Sequence, residues 1–164
     1  METNELYLMT AFSCMACDGE IATEELELVK QYANSSSLLE GLDIEGKLND
    51  YVARINDQGH SFLAGYINDI VNAHLNEEEE LNLARIAIQM IEADNKIEYS
   101  EISFFKRIRG KLNVTDGKLL DVFKDETLFE KFPEVEPEDF LLPDIEEADN
   151  FGLDVAFQNI VLKQ

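Results

Sequence analysis

Apolar residues recur along most of this chain with the period of an α-helix, and short acidic turns interrupt them. Between residues 5 and 17, Leu6, Met9, Phe12, Cys14, Met15 and Ala16 fall at helical rather than alternating spacing, and Asp18-Gly19 ends the run. Thr23 is the expected N-cap of a second helix, with Glu24 and Glu25 in its first turn, where carboxylates oppose the positive helix end. That helix runs to about Ala33, and Asn34-Ser35-Ser36-Ser37 breaks it. The pattern predicts a third helix over 45–56, with Leu48, Tyr51, Val52 and Ile55 on one face and Asp57-Gln58-Gly59 as its stop. A fourth is predicted over 62–75, with Phe62, Tyr66, Ile67, Ile70, Val71 and Leu75 inward. Residues 77–93 begin with four glutamates and continue with Leu81, Leu83, Ala84, Ile86, Ala87, Ile88, Met90 and Ile91, an apolar face wide enough for a central helix buried on most sides. Residues 100–112 are amphipathic, with Ile102, Phe104, Phe105, Ile108 and Leu112 apolar and Lys106, Arg107, Arg109 and Lys111 basic.

The character changes at Thr115. The last 50 residues carry all three prolines and 14 acids against four bases. Helical stretches are expected over 118–132, and beyond Pro133 the acid and proline content predicts extended or partly ordered chain. Six of the ten phenylalanines also fall here, so the appendage is expected to dock on the body or on a second subunit. Residues 153–162 suit both a short strand and a helical turn. The expected fold is all-α: a helical-bundle domain over 1–114 and an acidic, phenylalanine-rich extension over 115–164.

Two segments 76 positions apart repeat one another. Ala16-Cys17-Asp18-Gly19-Glu20-Ile21-Ala22-Thr23-Glu24-Glu25-Leu26 matches Glu92-Ala93-Asp94-Asn95-Lys96-Ile97-Glu98-Tyr99-Ser100-Glu101-Ile102 at Asp18/Asp94, Ile21/Ile97, Glu25/Glu101 and Leu26/Ile102. Each lies between two apolar runs and so reads as the turn of a helix-turn-helix hairpin, which makes the bundle pseudo-symmetric. Gly19, and Asn95 at modest cost, suit the left-handed position that ends a helix. On that account the aspartates end helices and the glutamates open them, with no ligand involved.

A second account is chemical. Asp, Gly, Ile and Glu at these offsets echo the second half of an EF-hand loop, but counting back places Cys14 and Ala16, then Met90 and Glu92, where oxygen ligands belong. Neither turn is therefore expected to bind calcium as an EF-hand does. A site pooling Asp18 and Glu25 with Asp94 and Glu101 would still offer the several oxygens that a hard cation requires.

Charge narrows the partners. With 13 Lys plus Arg against 35 Asp plus Glu, the formal charge is -22, which disfavours nucleic acid and anionic membranes and favours cations and basic proteins. The run Glu77-Glu78-Glu79-Glu80 reads as compensation of a helix dipole, and alternatively as a cation site. The basic cluster Lys106, Arg107, Arg109 and Lys111 reads as a solvated face, an internal counter-charge or a landing strip for an acidic partner. No stretch approaches the roughly 18 apolar residues of a membrane span, and the N-terminal residues lack a basic signal region, so a cytoplasmic protein is expected.

Cys14 and Cys17 form a C-x-x-C pair in the last turns of a helix, where both are expected as buried, inert thiols. His60 and His74 are too distant and unsuitably spaced to complete a zinc site with them. Phosphate loops, nucleophile elbows and His-Glu-x-x-His pairs are lacking, so an enzyme is not expected; a metal-dependent hydrolase is the least favoured alternative.

The residues 16–25 and their echo at 92–101 resemble the TerB-like family of bacterial tellurite-resistance proteins, which also includes domains appended to some co-chaperones. Its Ala-Asp-Gly-x-Ile-x-x-x-Glu signature occurs twice in an all-helical domain. The resemblance covers about 5–114, with Cys17 in place of a small residue, Asn95 in place of the second glycine, and no counterpart for 115–164. It implies a cytoplasmic, non-enzymatic module of metal or stress response. Its acidic positions, here Asp18, Glu25, Asp94 and Glu101 with Glu20, Glu24 and Glu98 in support, would bind a divalent cation (calcium, magnesium, manganese or zinc) or a protein partner. The rival reading is a metal-free interaction module that uses Lys106, Arg107, Arg109 and Lys111 with the C-terminal segment. Homo-oligomers fit either reading.

Overall fold

The first helix is apolar on every side, and this dictates the arrangement of the others. A computed structural model describes residues 1–142, which are all-α. The helices are α1 (Thr3–Met15), α2 (Thr23–Ser35), α3 (Ile44–Gln58), α4 (His60–Ala73), α5 (Glu77–Ala93), α6 (Tyr99–Arg109), α7 (Asp116–Asp125) and α8 (Leu128–Lys131), with 3₁₀ turns at Ser37–Leu39 and Pro137–Phe140. From Leu6 to Ala16 no residue is more than 4% exposed, and a helix without a polar face must be surrounded. α5 packs along it most extensively, and α2, α3, α4, α6 and the first 3₁₀ turn close the remaining sides.

Two polar residues lie within that buried stretch. The Thr10 hydroxyl donates to the Leu6 carbonyl (2.8 Å), so the 2.6 Å contact with Tyr66 is one in which Tyr66 donates to Thr10. Tyr66, fully buried on α4, thereby satisfies its own hydroxyl on α1. Around this junction Phe12, Tyr51 and Phe62 meet with ring centroids 5.5 to 6.1 Å apart, joining α1, α3 and α4.

Local sequence sets the helix ends. Asn76 and Glu79 form a full capping box at α5, each side chain accepting the other's backbone N–H at 2.9 Å. Gly59 alone joins α3 to α4 with φ +58 and ψ -130, a conformation favouring glycine. The helix thus continues through Asp57 and Gln58 instead of stopping there. On α4, Phe62, Tyr66, Ile67 and Ile70 face inward as expected, but Val71 is 46% exposed because its position has rotated past the packed stripe. α6 ends at Arg109, before Leu112, which nevertheless remains buried in the following loop.

Residues 116–142 share the same core. α7 and α8 pack on α5, and the second 3₁₀ turn packs on α6. Phe105 of α6 meets Phe123 (5.8 Å) and Phe140 (5.6 Å), and Phe140 meets Phe129 (5.5 Å), mostly edge to face. Pro137 starts the 3₁₀ turn that drives Phe140 to complete burial, so chain beyond Pro133 is held by an aromatic anchor. The sequence readings for Phe151, Phe157 and 153–162 lie outside the described residues. No helix among the described residues is long and apolar enough to cross a membrane.

Phe140→Ala is expected to destabilise the whole domain by about 3 to 5 kcal/mol in urea unfolding, the usual cost of a large buried aromatic. An unfolding curve like that of the parent chain would mean that the segment after Pro133 is not part of the cooperative core.

Candidate functional site

The repeated segments form the turns between α1 and α2 and between α5 and α6, and their shared residues have shared local duties. α2 starts at Thr23 with Ala22 as its N-cap, so Thr23 is the first helical residue and not the cap. Ala22 has no side-chain acceptor, and the cap works in one direction: the Glu25 carboxylate reaches back to accept the Ala22 N–H at 2.8 Å. Glu101 accepts the Glu98 N–H at 2.8 Å in the same way at α6. Ile21 and Ile97 precede the two N-caps, and Leu26 and Ile102 follow the two glutamates, all four packed on the core. These are the positions of a hydrophobic staple. Three of the four matched pairs are therefore accounted for by helix initiation.

The aspartates differ. Asp18 lies beyond the end of α1 and accepts the Glu20 N–H at 3.2 Å, and Gly19 takes φ +98. The positive φ disfavours any side chain at Gly19, where a Cβ would also lie 3.1 Å from Nε2 of His60 and push that exposed imidazole aside. Asp94 is itself the C-cap of α5, extended at ψ 156, and accepts the Asn95 N–H at 2.8 Å. Asn95 does not adopt the left-handed conformation expected of it; among the described residues His74 is the non-glycine with positive φ. The Lys131 ammonium takes over the helix-ending role by donating to the carbonyls of Glu92 (2.7 Å) and Asp94 (3.1 Å). A cation at a helix C-terminus suits the dipole, and α5 has no basic residue of its own in its last turn.

The two turns lie close enough to influence one another. Glu101 is 7% exposed, and its carboxyl is pushed up to about 7, first by desolvation and then by the negative charges of Asp94, Glu98 and Glu25, against the stabilising Glu98 N–H. Glu25 comes from the first turn and the other three from the second. Burial pushes the Cys17 thiol up to about 12, with Ser100 pulling the other way and the charges of Glu101 and Asp18 adding to the rise. The Cys14 thiol is also raised, chiefly by burial. Both are free thiols, and these shifts make them poor nucleophiles.

Asp18, Glu25, Asp94 and Glu101 each spend a carboxylate oxygen on a backbone N–H of their own turn. Among the described residues no three His, Cys, Asp or Glu side chains are grouped so as to hold a metal ion. Glu20, Glu24 and Glu98 are exposed around the turns, and Glu98 pairs with Lys96 at 3.0 Å. His60 packs on Gly19, and exposed His74 caps α4 in the left-handed conformation. Two concavities of about 370 and 130 Å³ lie elsewhere, the first beside Lys47 and Tyr51 and the second beside Glu80 and Asn113.

The four residues of the basic cluster differ in their surroundings. Arg109 pairs with Asp116 (2.8 Å) and donates to the Leu112 carbonyl (3.3 Å), closing the loop after its own helix. Lys106 is half-buried and engaged, whereas Arg107 and Lys111 are exposed.

Sequence reasoning missed Glu80. It is 4% exposed and accepts the N–H groups of Asn113 (2.7 Å) and Val114 (3.0 Å), clamping the α6–α7 loop to α5. Its neighbour Glu77 bridges to Lys118 at 2.8 Å. The signal was its phase: Glu80 shares a helical face with Leu83, Ala84 and Ala87, all buried.

The chain matches no family model, no curated protein and no solved structure in comparisons with known proteins.

Glu101→Gln gives a pH signature. The carboxyl holds its proton more tightly folded, near 7, than at its ordinary value of 4.5. The stability it contributes is thus fully present below about pH 4.5 and lost as pH rises through about 7. Glutamine keeps the acceptor for the Glu98 N–H and removes the charge. The variant should match the parent near pH 4.5 and exceed it by on the order of 1 to 3 kcal/mol at pH 8 in urea unfolding. Equal stability at both pH values would show that the carboxylate is not disfavoured in the fold. Glu80→Ala should instead cost about 1 to 3 kcal/mol at neutral pH by leaving two backbone donors without their acceptor.

Proposed function

We propose that this chain is a non-enzymatic, TerB-like binding module of cytoplasmic metal or stress response. In this reading it acts through protein contacts at the end of the bundle where the two acidic turns meet. The observation that carries it is that Glu101, 7% exposed on α6, feels the negative charges of Asp94 and Glu98 from its own turn and of Glu25 from the matching turn 76 residues earlier. Carboxylates gathered against their mutual repulsion favour whatever supplies positive charge, whether basic side chains of a partner or a divalent cation. The exposed acids Asp18, Glu20 and Glu24 extend the negative surface around this point. A protein partner is the better fit, since Asp18, Glu25, Asp94 and Glu101 already serve backbone donors of their own turns. Arg109 being held by Asp116 and Leu112 weakens the alternative interface on the basic helix.

Isothermal titration of chelator-treated protein with calcium, magnesium, manganese and zinc separates the two sources of positive charge. Repetition on a combined Asp18→Asn and Asp94→Asn variant locates any binding. Capture of a basic protein that weakens in the variant, with no saturable heat from any ion, is the expected outcome. Saturable binding near one ion per chain that vanishes in the variant would make the turns a cation site instead. Partner capture and ion binding both unaffected by the substitutions would sink the assignment to the acidic turns.

A further inference from the structure

A self-complementary charge stripe on α3 carries an inference independent of the acidic turns. Asp43 caps α3 by accepting the Gly46 N–H at 3.1 Å, and Lys47, Asp50 and Arg54 follow it. At 100° per residue these four positions fall within about 60° of one another, so they form one row along the helix. Their signs alternate along it: negative, positive, negative, positive. The row borders the concavity of about 370 Å³ between α3 and the start of α1, whose lining includes Met9 and Tyr51, 1% and 4% exposed.

We propose that this face is where a second copy of the chain docks, with the two α3 helices antiparallel about a twofold axis. An alternating row of four read against its own reverse pairs every charge with its opposite. Asp43 meets Arg54 of the second copy, Lys47 meets Asp50, and the same two contacts recur on the other side of the axis. Such an isologous interface needs no surface other than itself. Asp57, next along the row, falls beyond the end of this register and stays in solvent.

Overall charge selects the same face. At -22, two copies repel one another over most of their surface, and association must use a patch where the charge is nearly cancelled. With Glu5 included, the concavity sets two cations against three acids. The existing pairs leave room for exchange. Asp50 and Arg54 lie 3.4 Å apart with side chains 61% and 43% exposed, a pairing of small worth in water that a cross-copy contact readily replaces. Lys47 is held by Glu5 at 2.6 Å, but an ammonium has three donors and can serve the second copy's Asp50 as well. Met1, 69% exposed, lines the same concavity and supplies apolar surface for the contact.

Sedimentation velocity over a concentration series, at modest salt, tests this on the full chain. The parent should pass from monomer to dimer with rising concentration. Asp50→Lys places like charges opposite Lys47 on both sides of the axis and should weaken the dimer by roughly tenfold or more. Adding Lys47→Glu to it reverses both central charges and should restore association. Arg54→Glu, which leaves the central pair and the Glu5 contact intact, should weaken it independently, so loss of fold in one variant does not remove the test. A parent chain that stays monomeric throughout, or variants that all associate like the parent, would overturn the proposal. Neither result bears on the acidic turns, which lie on other elements.

Discussion

The burial of α1 on all sides is the constraint from which the remaining architecture follows. From Leu6 to Ala16 the helix offers no face to water, so the chain must supply helices around its whole circumference. α5 covers the longest side, and the two pair as a central unit against which the hairpin partners α2 and α6 fold back. Fully burying one Leu, Met or Phe side chain contributes about 1.5 to 3 kcal/mol. The stretch includes several of these, which is why single polar atoms inside it must be satisfied. Thr10 and Tyr66 satisfy one another and the Leu6 carbonyl, while Ser13 keeps a buried hydroxyl without a partner, for which the structure offers no compensation.

The pseudo-symmetry is a symmetry of helix starts more than of helix ends. Glu25 and Glu101 hold the N–H groups of Ala22 and Glu98 at the same 2.8 Å, and the flanking isoleucines and leucine occupy equivalent positions. The helix ends diverge. The first turn uses a left-handed glycine wedged under His60, and the second uses an extended Asp94 with Lys131 donated from α8. This ties the second turn to the segment after 115. Asn95 stands where the first turn has Gly19, and α5 takes a cation from a later helix, so that segment completes the second turn.

Helix existence and the direction of most faces were legible because period alone determines them once the core is apolar. Errors fell where tertiary contacts decide. Val71 sits at the margin of its stripe, and only the placement of neighbouring helices determines that it is exposed. Asn95 tolerates a left-handed backbone, but Lys131, 36 residues later, removes the need for it. Thr23 is a better N-cap than Ala22 by side-chain chemistry, yet the reach of Glu25 back to Ala22 shifts the helix start by one residue. Phe140 was readable as a docking residue from its aromatic character in a polar stretch, although its contacts with Phe105 and Phe129 were not.

The acidic residues show most clearly why composition alone is a poor guide to sites in such a chain. Of four consecutive glutamates, Glu77 bridges to Lys118, Glu79 closes a capping box, and Glu80 clamps a loop from a buried position. Glu101 is buried for the same phase-dependent reason as Glu80: it shares a face with Phe104, Phe105 and Ile108. The difference lies in what surrounds each one. Glu80 receives two backbone donors, whereas Glu101 receives one and feels the negative charges of Asp94, Glu98 and Glu25. An acid with enough donors is structural, and one held among like charges stores repulsion that positive charge relieves. That contrast between two buried glutamates depends on burial and neighbours that the order of residues does not state.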